Sequence, residues 1–337
     1  MSSNWEELIT KFTHLGGVIE NVKQKEGKNG RGIFAINKTE KSRIFVPSNL
    51  LINIDDIEER NGQLIINDIS NYDNETREFF SFYEENFSWG NGGRKICELF
   101  EKNLFILPST VKELIKEYLL IDLDIRFKGN WDELILKQFL NSRKFFFSGK
   151  EKIAPVLELV NHEVKSLPYI RSEKGLSTPN YDPKDGEITH SYGYRSPIKR
   201  LFDYGFYCEE SIIFSYPFRL QIDNYGNFLV CNGSEIIDDS MLSISNEKQT
   251  CIQGLPIADI NIPTLPKEYL MELIKKNSLK VSYDHLFAEI KNLNIKKRNI
   301  LLKEIKNVDN YSAQLIKKTL EYELKAINNN CLGNMNQ

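Results

Sequence analysis

The sequence has few of the features that mark secreted or metal-stabilised proteins. Its five cysteines are odd in number and never form a C-x-x-C pair, so we expect neither a disulfide framework nor a structural zinc cluster. This cysteine usage favours a reducing compartment, the cytoplasm. The cysteines are Cys97, Cys208, Cys231, Cys251 and Cys331.

Long apolar runs and a strong net charge are also missing. No apolar run reaches the roughly 18 residues of a transmembrane helix, so we expect no membrane partner. The N-terminal MSSNWEELITKF lacks a basic region followed by an apolar one, so we do not expect a secretory signal. The net charge of −3 disfavours a protein that coats nucleic acid.

The chain does contain enough apolar and aromatic residues, 41% and 11%, to build a core. Its 337 residues exceed one typical domain, so we expect two packed units or one core with large insertions. The periodicity predicts helices over 5–15 and 131–147, mostly helix over 56–135, and helices from 266 to about 325. It predicts strands over 17–24, 31–36, 45–52, 153–160 and 187–192, strand-like structure over 207–260, and a frayed tail from Asn328.

The segment GRGIFA has glycines on both sides of an arginine. Gly30 and Gly32 flank Arg31, and glycine lets a backbone approach a ligand without a Cβ in the way. A lone pattern of this kind is also typical of a tight turn between two strands. The strand-like FVPSNLLI at 45–52 follows it.

Two further segments contain side chains that suit the ends of an amino acid. IAPVLELVNH ends an apolar run with Asn161 and His162. An asparagine amide can both donate to a carboxylate and accept from an ammonium, although a buried Asn-His pair is often only structural. SRKF at 142–145 contains Arg143, whose planar guanidinium suits bidentate binding of a carboxylate.

The last two segments contain tyrosines beside glycines. GEITHSYGY at 186–194 includes Tyr192, and SPIKRLFDYGF at 196–206 includes Tyr204 and Phe206. The Ser-Pro start of the second segment predicts the first turn of a helix. Taken alone, its DYGF end is an ordinary junction between a helix and a strand.

In this order, these segments together resemble the SET-domain protein methyltransferases. The similarity is to the split-SET branch typified by the Rubisco large-subunit lysine methyltransferase and the actin-histidine methyltransferase. The resemblance implies an α+β protein, with a SET-domain fold of small β-sheets and a helical insert, followed by a mostly α-helical C-terminal module. We expect the first part of the SET domain at 1–55, the insert at 56–135, the second part at 136–215, and a module that binds a substrate or partner at 216–337.

The resemblance also implies a cofactor, S-adenosyl-L-methionine, and a set of site residues. It implies a catalytic role for Tyr192 and no metal. The residues expected to bind the cofactor are Gly30, Arg31, Gly32, Ile33, Arg143, Asn161, His162, Tyr192, Tyr204 and Phe206. The residues expected to bind the substrate are Glu158, Phe145 and Tyr204. His190 has no counterpart in the family, and we expect it to be structural.

The implied activity is methyl transfer from this cofactor to a side-chain nitrogen of a protein. Lysine is the expected acceptor because most of the family uses it, and histidine is the alternative because one branch does. We expect a cytoplasmic monomer whose partner is its protein substrate; a bacterial source would add delivery into a host cell as an alternative.

A second reading belongs to a different class, a SET-like scaffold that binds a protein without turnover. Two departures from the family pattern motivate it. Glu158 stands where the family has aspartate, near the target side chain, and Phe34 stands where some relatives have an arginine that contacts the cofactor. Binding of the cofactor distinguishes the two readings.

Overall fold

The computed structural model describes residues 3–28, 30–179, 186–193, 195–222, 226–231, 242–244, 249–276 and 281–332. The first part of the chain forms α1 (Ser3–His14), β1 (Val18–Glu20), β2 (Val22–Gly27), β3 (Gly30–Ala35), β4 (Arg43–Pro47), β5 (Ile52–Asn53), β6 (Ile57–Arg60), β7 (Gln63–Ile66), α2 (Asn74–Phe87) and α3 (Arg94–Phe105). The middle forms α4 (Ser109–Leu119), α5 (Leu123–Arg126), α6 (Trp131–Arg143), β8 (Phe145–Phe147), β9 (Lys150–Ile153), β10 (Asn161–His162), β11 (Ile170–Ser172), β12 (Gly175–Ser177) and β13 (Glu187–His190).

The last part of the chain continues with α7 (Pro197–Tyr204), β14 (Ile212–Phe214), β15 (Phe218–Ile222), β16 (Gly226–Cys231), β17 (Leu242–Ile244), β18 (Gln249–Gln253), β19 (Pro256–Asp259), α8 (Leu265–Lys276), α9 (Tyr283–Ile305) and α10 (Tyr311–Leu332). The sheets have two to four strands each. The predicted α+β class with small sheets and a helical C-terminal region is therefore confirmed. Among the described helices, none is both long and apolar enough to cross a membrane.

The chain divides into two compact units. Unit 1 comprises residues 1–98 and 135–193, and unit 2 comprises 99–134 and 194–337. These boundaries differ from the four segments expected from the sequence, and that finer division stays a prediction.

Unit 1 consists of small sheets and helices around one core. Its sheets have the strand orders β1-β4-β12-β11, β10-β13-β3-β2, β5-β9-β8 and β6-β7. The apolar stripe of α1 packs into this core through Trp5, Leu8 and Phe12, which are at most 3% exposed. The ring of Trp5 meets that of Phe87 at the end of α2 edge-on, at 5.7 Å between centroids. Helix α1 is amphipathic at the spacing that the sequence predicts.

Unit 2 has two cores. One is formed by α4, α7 and the facing sides of α9 and α10, and it includes Phe100, Ile115 and Leu320. The other lies between the sheet β15-β16-β18-β17 and helices α8 and α9, with Phe228 and Leu270 in its interior. Within the described residues, the strands predicted over 207–260 and the helices that follow are confirmed; 223–225, 232–241, 245–248 and 277–280 lie outside them.

Four of the element predictions need correction. The helix predicted over 131–147 ends at Arg143, and the three phenylalanines that follow form β8. The strand predicted over 45–52 is interrupted, because β4 ends at Pro47 and a 3-10 turn covers Ser48–Leu50. The region 56–135 is mostly helical, as predicted, after the hairpin of β6 and β7 at its start. The tail predicted to fray from Asn328 continues as helix to Leu332, and its remaining part, 333–337, lies outside the described residues.

The fourth correction is the buried strand predicted over 153–160. Only Ile153 lies in a strand, and a single 3-10 turn follows at Leu157–Leu159. Pro155 has no N–H for a strand ladder. Val156 has φ +69° and ψ −46°, which turns the chain in a conformation that a β-branched residue rarely adopts. The segment is buried, as the sequence indicated, but it is a turn.

Candidate active site

Three segments that are far apart in the sequence meet in the sheet β10-β13-β3-β2 of unit 1. Strand β13 pairs antiparallel with β3, so that Glu187 lies opposite Phe34. On its other edge β13 pairs in parallel with β10, and Asn161 lies opposite Thr189. The GRGIFA, Asn-His and GEITHSY segments are therefore neighbours, although each was recognised separately.

Gly32 provides the space that the Asn161 side chain occupies. A Cβ at position 32 would lie 2.5 Å from Asn161 Nδ2 and 2.6 Å from Glu187 Oε1. Asn161 Nδ2 donates to the Arg31 carbonyl oxygen at 3.1 Å and to Glu187 Oε1 at 2.8 Å. Both amide hydrogens are thus used, and only the oxygen Oδ1 is left to bind a ligand. Asn161 can therefore accept from an ammonium group, but it cannot also donate to a carboxylate.

The other members of GRGIFA differ in what they expose. Gly30 has φ +85° at the start of β3, a conformation that favours glycine. Ile33 is fully buried in the core, so only its backbone can contact a ligand. The Nη1 atom of Arg31 is buried and has no hydrogen-bond partner among the described residues.

Tyr192 is held at both its backbone and its side chain. Its N–H donates to His162 Nδ1 at 3.1 Å, and its hydroxyl donates to the Val160 carbonyl oxygen at 2.8 Å. His162 Nδ1 also lies 3.3 Å from the His190 carbonyl oxygen, so this nitrogen contacts the backbone on both sides of Ser191. The Tyr192 hydroxyl donates its only proton to Val160, so any further hydrogen bond at the phenol oxygen is one that it accepts.

Aromatic rings extend from Tyr192 along β13. The ring of His162 lies 5.0 Å from that of Tyr192, and His190 lies 5.3 Å from it on the other side. His190 stacks on Tyr169 at 3.5 Å between centroids, and the Tyr169 hydroxyl donates to the Leu157 carbonyl oxygen at 2.9 Å. His190 packs in this stack, and its structural role stays a prediction.

Arg143 and Glu158 lie together in one buried cluster. Arg143 Nε is 2.9 Å from Glu158 Oε2, in the geometry of an ion pair rather than an aligned hydrogen bond. Glu158 Oε1 accepts from the Tyr83 hydroxyl at 2.6 Å and from the Ser88 hydroxyl. Burial alone would lower the pKa of Arg143, but the neighbouring negative charges, that of Glu158 first, raise it.

This ion pair bears on two of the predicted roles. Arg143 was expected to bind the carboxylate of a cofactor, and Glu158 was expected to contact the substrate. The structure places them on each other, and the Glu158 side chain is only 2% exposed. The Arg143 side chain keeps 27% of its surface exposed, so it can still contact a ligand. Both roles stay predictions.

A second carboxylate, that of Glu84, lies beside this pair. Glu84 is 1% exposed and accepts one long hydrogen bond, 3.4 Å, from the Trp89 N–H. Burial raises its pKa well above the ordinary value, and the charge of Glu158 adds to the effect. Two carboxylates therefore share a buried region with one arginine.

The remaining predicted residues lie in two places. Phe145 is partly buried at the start of β8 and packs against the core of unit 1. Tyr204 and Phe206 belong to unit 2, at the end of α7, with ring centroids 5.9 Å apart. Between them, Gly205 has φ +77° and its N–H donates to the Leu201 carbonyl oxygen, which ends the helix.

Several residues of the site were not found from the sequence. Glu187, which orients Asn161, stands in the GEITHSY segment but had no assigned role. Tyr83, Glu84 and Ser88 lie in a helix and turn of the predicted insert, more than fifty positions before Arg143. The buried face of α2, on which Tyr83 and Glu84 both lie, is a signal that a polar residue there needs a partner.

Comparison with known proteins gives distant structural likenesses. No family model matches the sequence, and no curated protein matches it. The SET domain of LSMT bound to lysine and AdoHcy is similar with a TM-score of 0.44 at 16% identity, over 98% of this chain and 91% of that one. Rubisco LSMT bound to AdoMet gives 0.43 at 16% over 98% and 91%, and Rubisco LSMT bound to sinefungin and monomethyllysine gives 0.45 at 15% over 99% and 91%. At these TM-scores and identities the likeness carries no argument about function, which has to come from the residues of the site.

Proposed function

We propose that this protein is an S-adenosyl-L-methionine-dependent protein N-methyltransferase of the SET type, which methylates a side-chain nitrogen of a protein substrate. One observation carries the proposal. The sheet β10-β13-β3-β2 brings Gly32, Asn161 and Tyr192 into adjacent strands or their direct continuation. Hydrogen bonds join Asn161 to Arg31 and Tyr192 to His162. The sequence resemblance rests on the same three segments.

The residues of the sheet fit the amino-acid end of such a cofactor. Asn161 Oδ1 accepts no hydrogen bond from the described residues and would accept from the ammonium group. Arg31 has a buried Nη1 without a partner, and Arg143 has an exposed portion; either guanidinium would bind a carboxylate. The chemistry that the cofactor supplies when bound is a methyl group already activated on a sulfonium.

Tyr192 would orient the acceptor nitrogen. Its phenol oxygen, fixed by the bond to Val160, can accept an N–H from the incoming amine and a weak C–H contact from the methyl group. Catalysis then consists mainly of alignment, which can lower a barrier by about 7–11 kcal/mol. An unperturbed lysine has a pKa of about 10.4, so the acceptor must first lose a proton. Aromatic surroundings favour the neutral amine because they remove it from water.

Calorimetric titration with S-adenosyl-L-methionine tests the site. We expect the wild type to bind, and Asn161→Ala to bind about 1–3 kcal/mol more weakly, because a charged ligand group loses its acceptor. Asn53→Ala is the matched control: this asparagine also lies in a strand of unit 1, and it bonds only Asp56 with its side-chain amide. Equal affinity in wild type and Asn161→Ala would contradict the role of Asn161.

Transfer of a radiolabelled methyl group to the proteins of a cell extract tests the activity. We expect Tyr192→Phe to lower the rate about 10²-fold or more, since the acceptor loses its orientation, while cofactor affinity stays within a few-fold. Tyr169→Phe is the control, because it removes a phenol that also donates to a nearby carbonyl oxygen but faces His190. Wild-type turnover by Tyr192→Phe would exclude the assigned role.

The same experiments separate the alternatives. Hydrolysis of the labelled protein identifies the acceptor residue. We propose that it is lysine; labelled methylhistidine would instead favour histidine as the acceptor. A folded wild type that binds no cofactor would favour the scaffold without turnover.

A further inference from the structure

We infer that Glu84 holds a proton at neutral pH and acts as a positioning residue, because its neutral form lets Glu158 and Arg143 remain a balanced ion pair. The first support is the number of charges that surround these two buried carboxylates. The Glu84 residue is 1% exposed and the Glu158 side chain 2% exposed, and only Arg143 forms an ion pair with either carboxylate among the described residues. A second buried carboxylate without a cation is costly, so it keeps its proton.

The hydrogen bonds decide which carboxylate is protonated. Glu158 receives a short bond from Tyr83, a bond from Ser88 and the ion pair with Arg143, all of which stabilise its ionised form. Glu84 receives only a long bond from the Trp89 N–H, together with a contact to the Ser88 side chain. Ser88 therefore lies between the two acids, and a protonated Glu84 can donate to it while Ser88 donates to Glu158.

In the part of the chain that the structure describes, Arg143 is the one cation recorded against these two carboxylates. The groups that face it are Tyr83 on α2, Cys97 on α3, Arg143 at the end of α6 and Glu158 in the turn after β9. Burial raises the pKa of Tyr83 well above its ordinary value, with Glu158 adding to the effect, so this phenol stays a neutral donor. Burial also raises the pKa of Glu84, in agreement with the geometry.

The predicted effect on cofactor binding rests on the proposed function, whereas the protonation of Glu84 does not. While Glu84 is neutral, Arg143 faces one negative charge and its exposed portion can bind the cofactor carboxylate. When Glu84 ionises, Arg143 faces two negative charges, and the cofactor carboxylate, as a third, is repelled. Cofactor affinity should therefore fall at alkaline pH in the wild type and stay level in Glu84→Gln, which imitates the neutral acid.

The first test is urea unfolding of the wild type and Glu84→Gln from pH 5 to 9. An acid whose pKa is raised by folding stabilises the protein fully below its unfolded pKa, and this contribution is lost as pH rises towards the folded pKa. We expect the folding constant of the wild type to fall, relative to Glu84→Gln, by up to tenfold per pH unit in this window. Glu85→Gln, an exposed neighbour on α2, is the control and should run parallel to the wild type. Parallel wild-type and Glu84→Gln profiles would overturn the proposal.

The second test is the infrared C=O stretch of neutral carboxylic acids at pH 7.5. We expect a wild-type band that loses intensity in Glu84→Gln. A wild-type spectrum without such a band overturns the proposal even if the variant does not fold. The third test is calorimetric titration of both proteins with S-adenosyl-L-methionine across the same pH range. If neither protein binds the cofactor while the first two tests succeed, the proposed function fails, but the protonation of Glu84 stands. If both proteins bind it with the same pH profile, the positioning role of Glu84 is refuted.

Discussion

Both units of this protein bury arginine–glutamate pairs beside a tyrosine, and two of them, Arg143–Glu158 in unit 1 and Arg298–Glu323 in unit 2, are completed differently. In unit 2, Arg298 and Glu323 are both fully buried, with Nε 2.8 Å from Oε2. Arg298 also donates to Asn294 Oδ1 at 2.7 Å and to the Phe214 carbonyl oxygen at 3.0 Å. Glu323 accepts from the Ile198 N–H at 3.0 Å. Every charge there has partners from several elements of unit 2.

The pair in unit 1 is only partly enclosed and has a further acid as a neighbour. Arg143 keeps 27% of its side chain exposed, and a second acid, Glu84, lies against Glu158. A pair such as Arg298–Glu323, whose charged groups are engaged by other residues of unit 2, supports the fold and offers no hydrogen-bonding group to a ligand. The cluster in unit 1 has a partly exposed arginine and, in Glu84, an acid whose pKa is raised by burial, a combination that is typical of functional sites. Burial alone does not distinguish a structural ion pair from one that can serve a function, whereas the number of hydrogen-bond partners does.

The largest expected effect comes from breaking the closed pair. Glu323→Gln keeps the volume but leaves the Arg298 charge uncompensated, and we expect it to lower the free energy of unfolding by about 3–5 kcal/mol. Urea unfolding at pH 7 measures this. Glu321→Gln, an exposed residue on the same helix, should change stability by less than about 0.5 kcal/mol. A loss below 1 kcal/mol would mean that the two pairs are energetically alike.

Arg143→Met in unit 1 should cost less, and its cost should depend on pH. We expect a loss of about 1–3 kcal/mol at pH 8, because Glu158 is left buried without its cation. Without Arg143, Glu158 must take up a proton on folding, so the loss should shrink as pH falls towards 5.

Urea unfolding at the two pH values checks this expectation. Lys144→Met removes the neighbouring surface pair with Glu151 and should cost at most about 1 kcal/mol at either pH. A loss in Arg143→Met that is the same at both pH values would contradict the open, titratable character of the cluster in unit 1.

The smallest expected effect is the difference between two tyrosines. The hydroxyl of Tyr83 donates to Glu158 at 2.6 Å, and that of Tyr216 donates to Glu323 at 3.2 Å. We expect Tyr83→Phe to cost about 1.5–3 kcal/mol, as for a short bond to a charged acceptor, and Tyr216→Phe about 0.5–1.5 kcal/mol. Thermal unfolding of both variants ranks them. The reverse order would mean that the extra donors in unit 1 are redundant.

The sequence predicted the site best where its residues are close along the chain. Asn161 and His162 follow one another in a strand, and Tyr192 comes directly after β13, so their segments could be recognised without knowing the fold. The helix that ends at Arg143 was also recognised, but the strand after it was not. Three phenylalanines in a row fit either structure, and pairing with β9 decides between them.

Partners that come from distant segments could not be predicted in the same way. Arg143 was assigned to a ligand because its guanidinium suits a carboxylate, and the carboxylate beside it proved to be that of Glu158. The spacing of residues 143 and 158 does not reveal this contact, since it depends on the turn at Val156 with its positive φ. The role of Glu84 could not be predicted from the sequence for the same reason, because its neighbours come close to it only when the chain folds.

The order of strands in the sheet of the candidate site also determines when that sheet can form during synthesis. Phe34 in β3 pairs with Glu187 in β13. At synthesis rates of about 5–20 residues per second, β3 leaves the ribosome roughly 8–30 s before β13. During this interval β3 has its hairpin partner β2 on one edge, while the edge that will receive β13 is open to wrong pairing. The nascent chain must therefore keep that edge unpaired until β13 emerges, and the site is among the last parts of unit 1 to form.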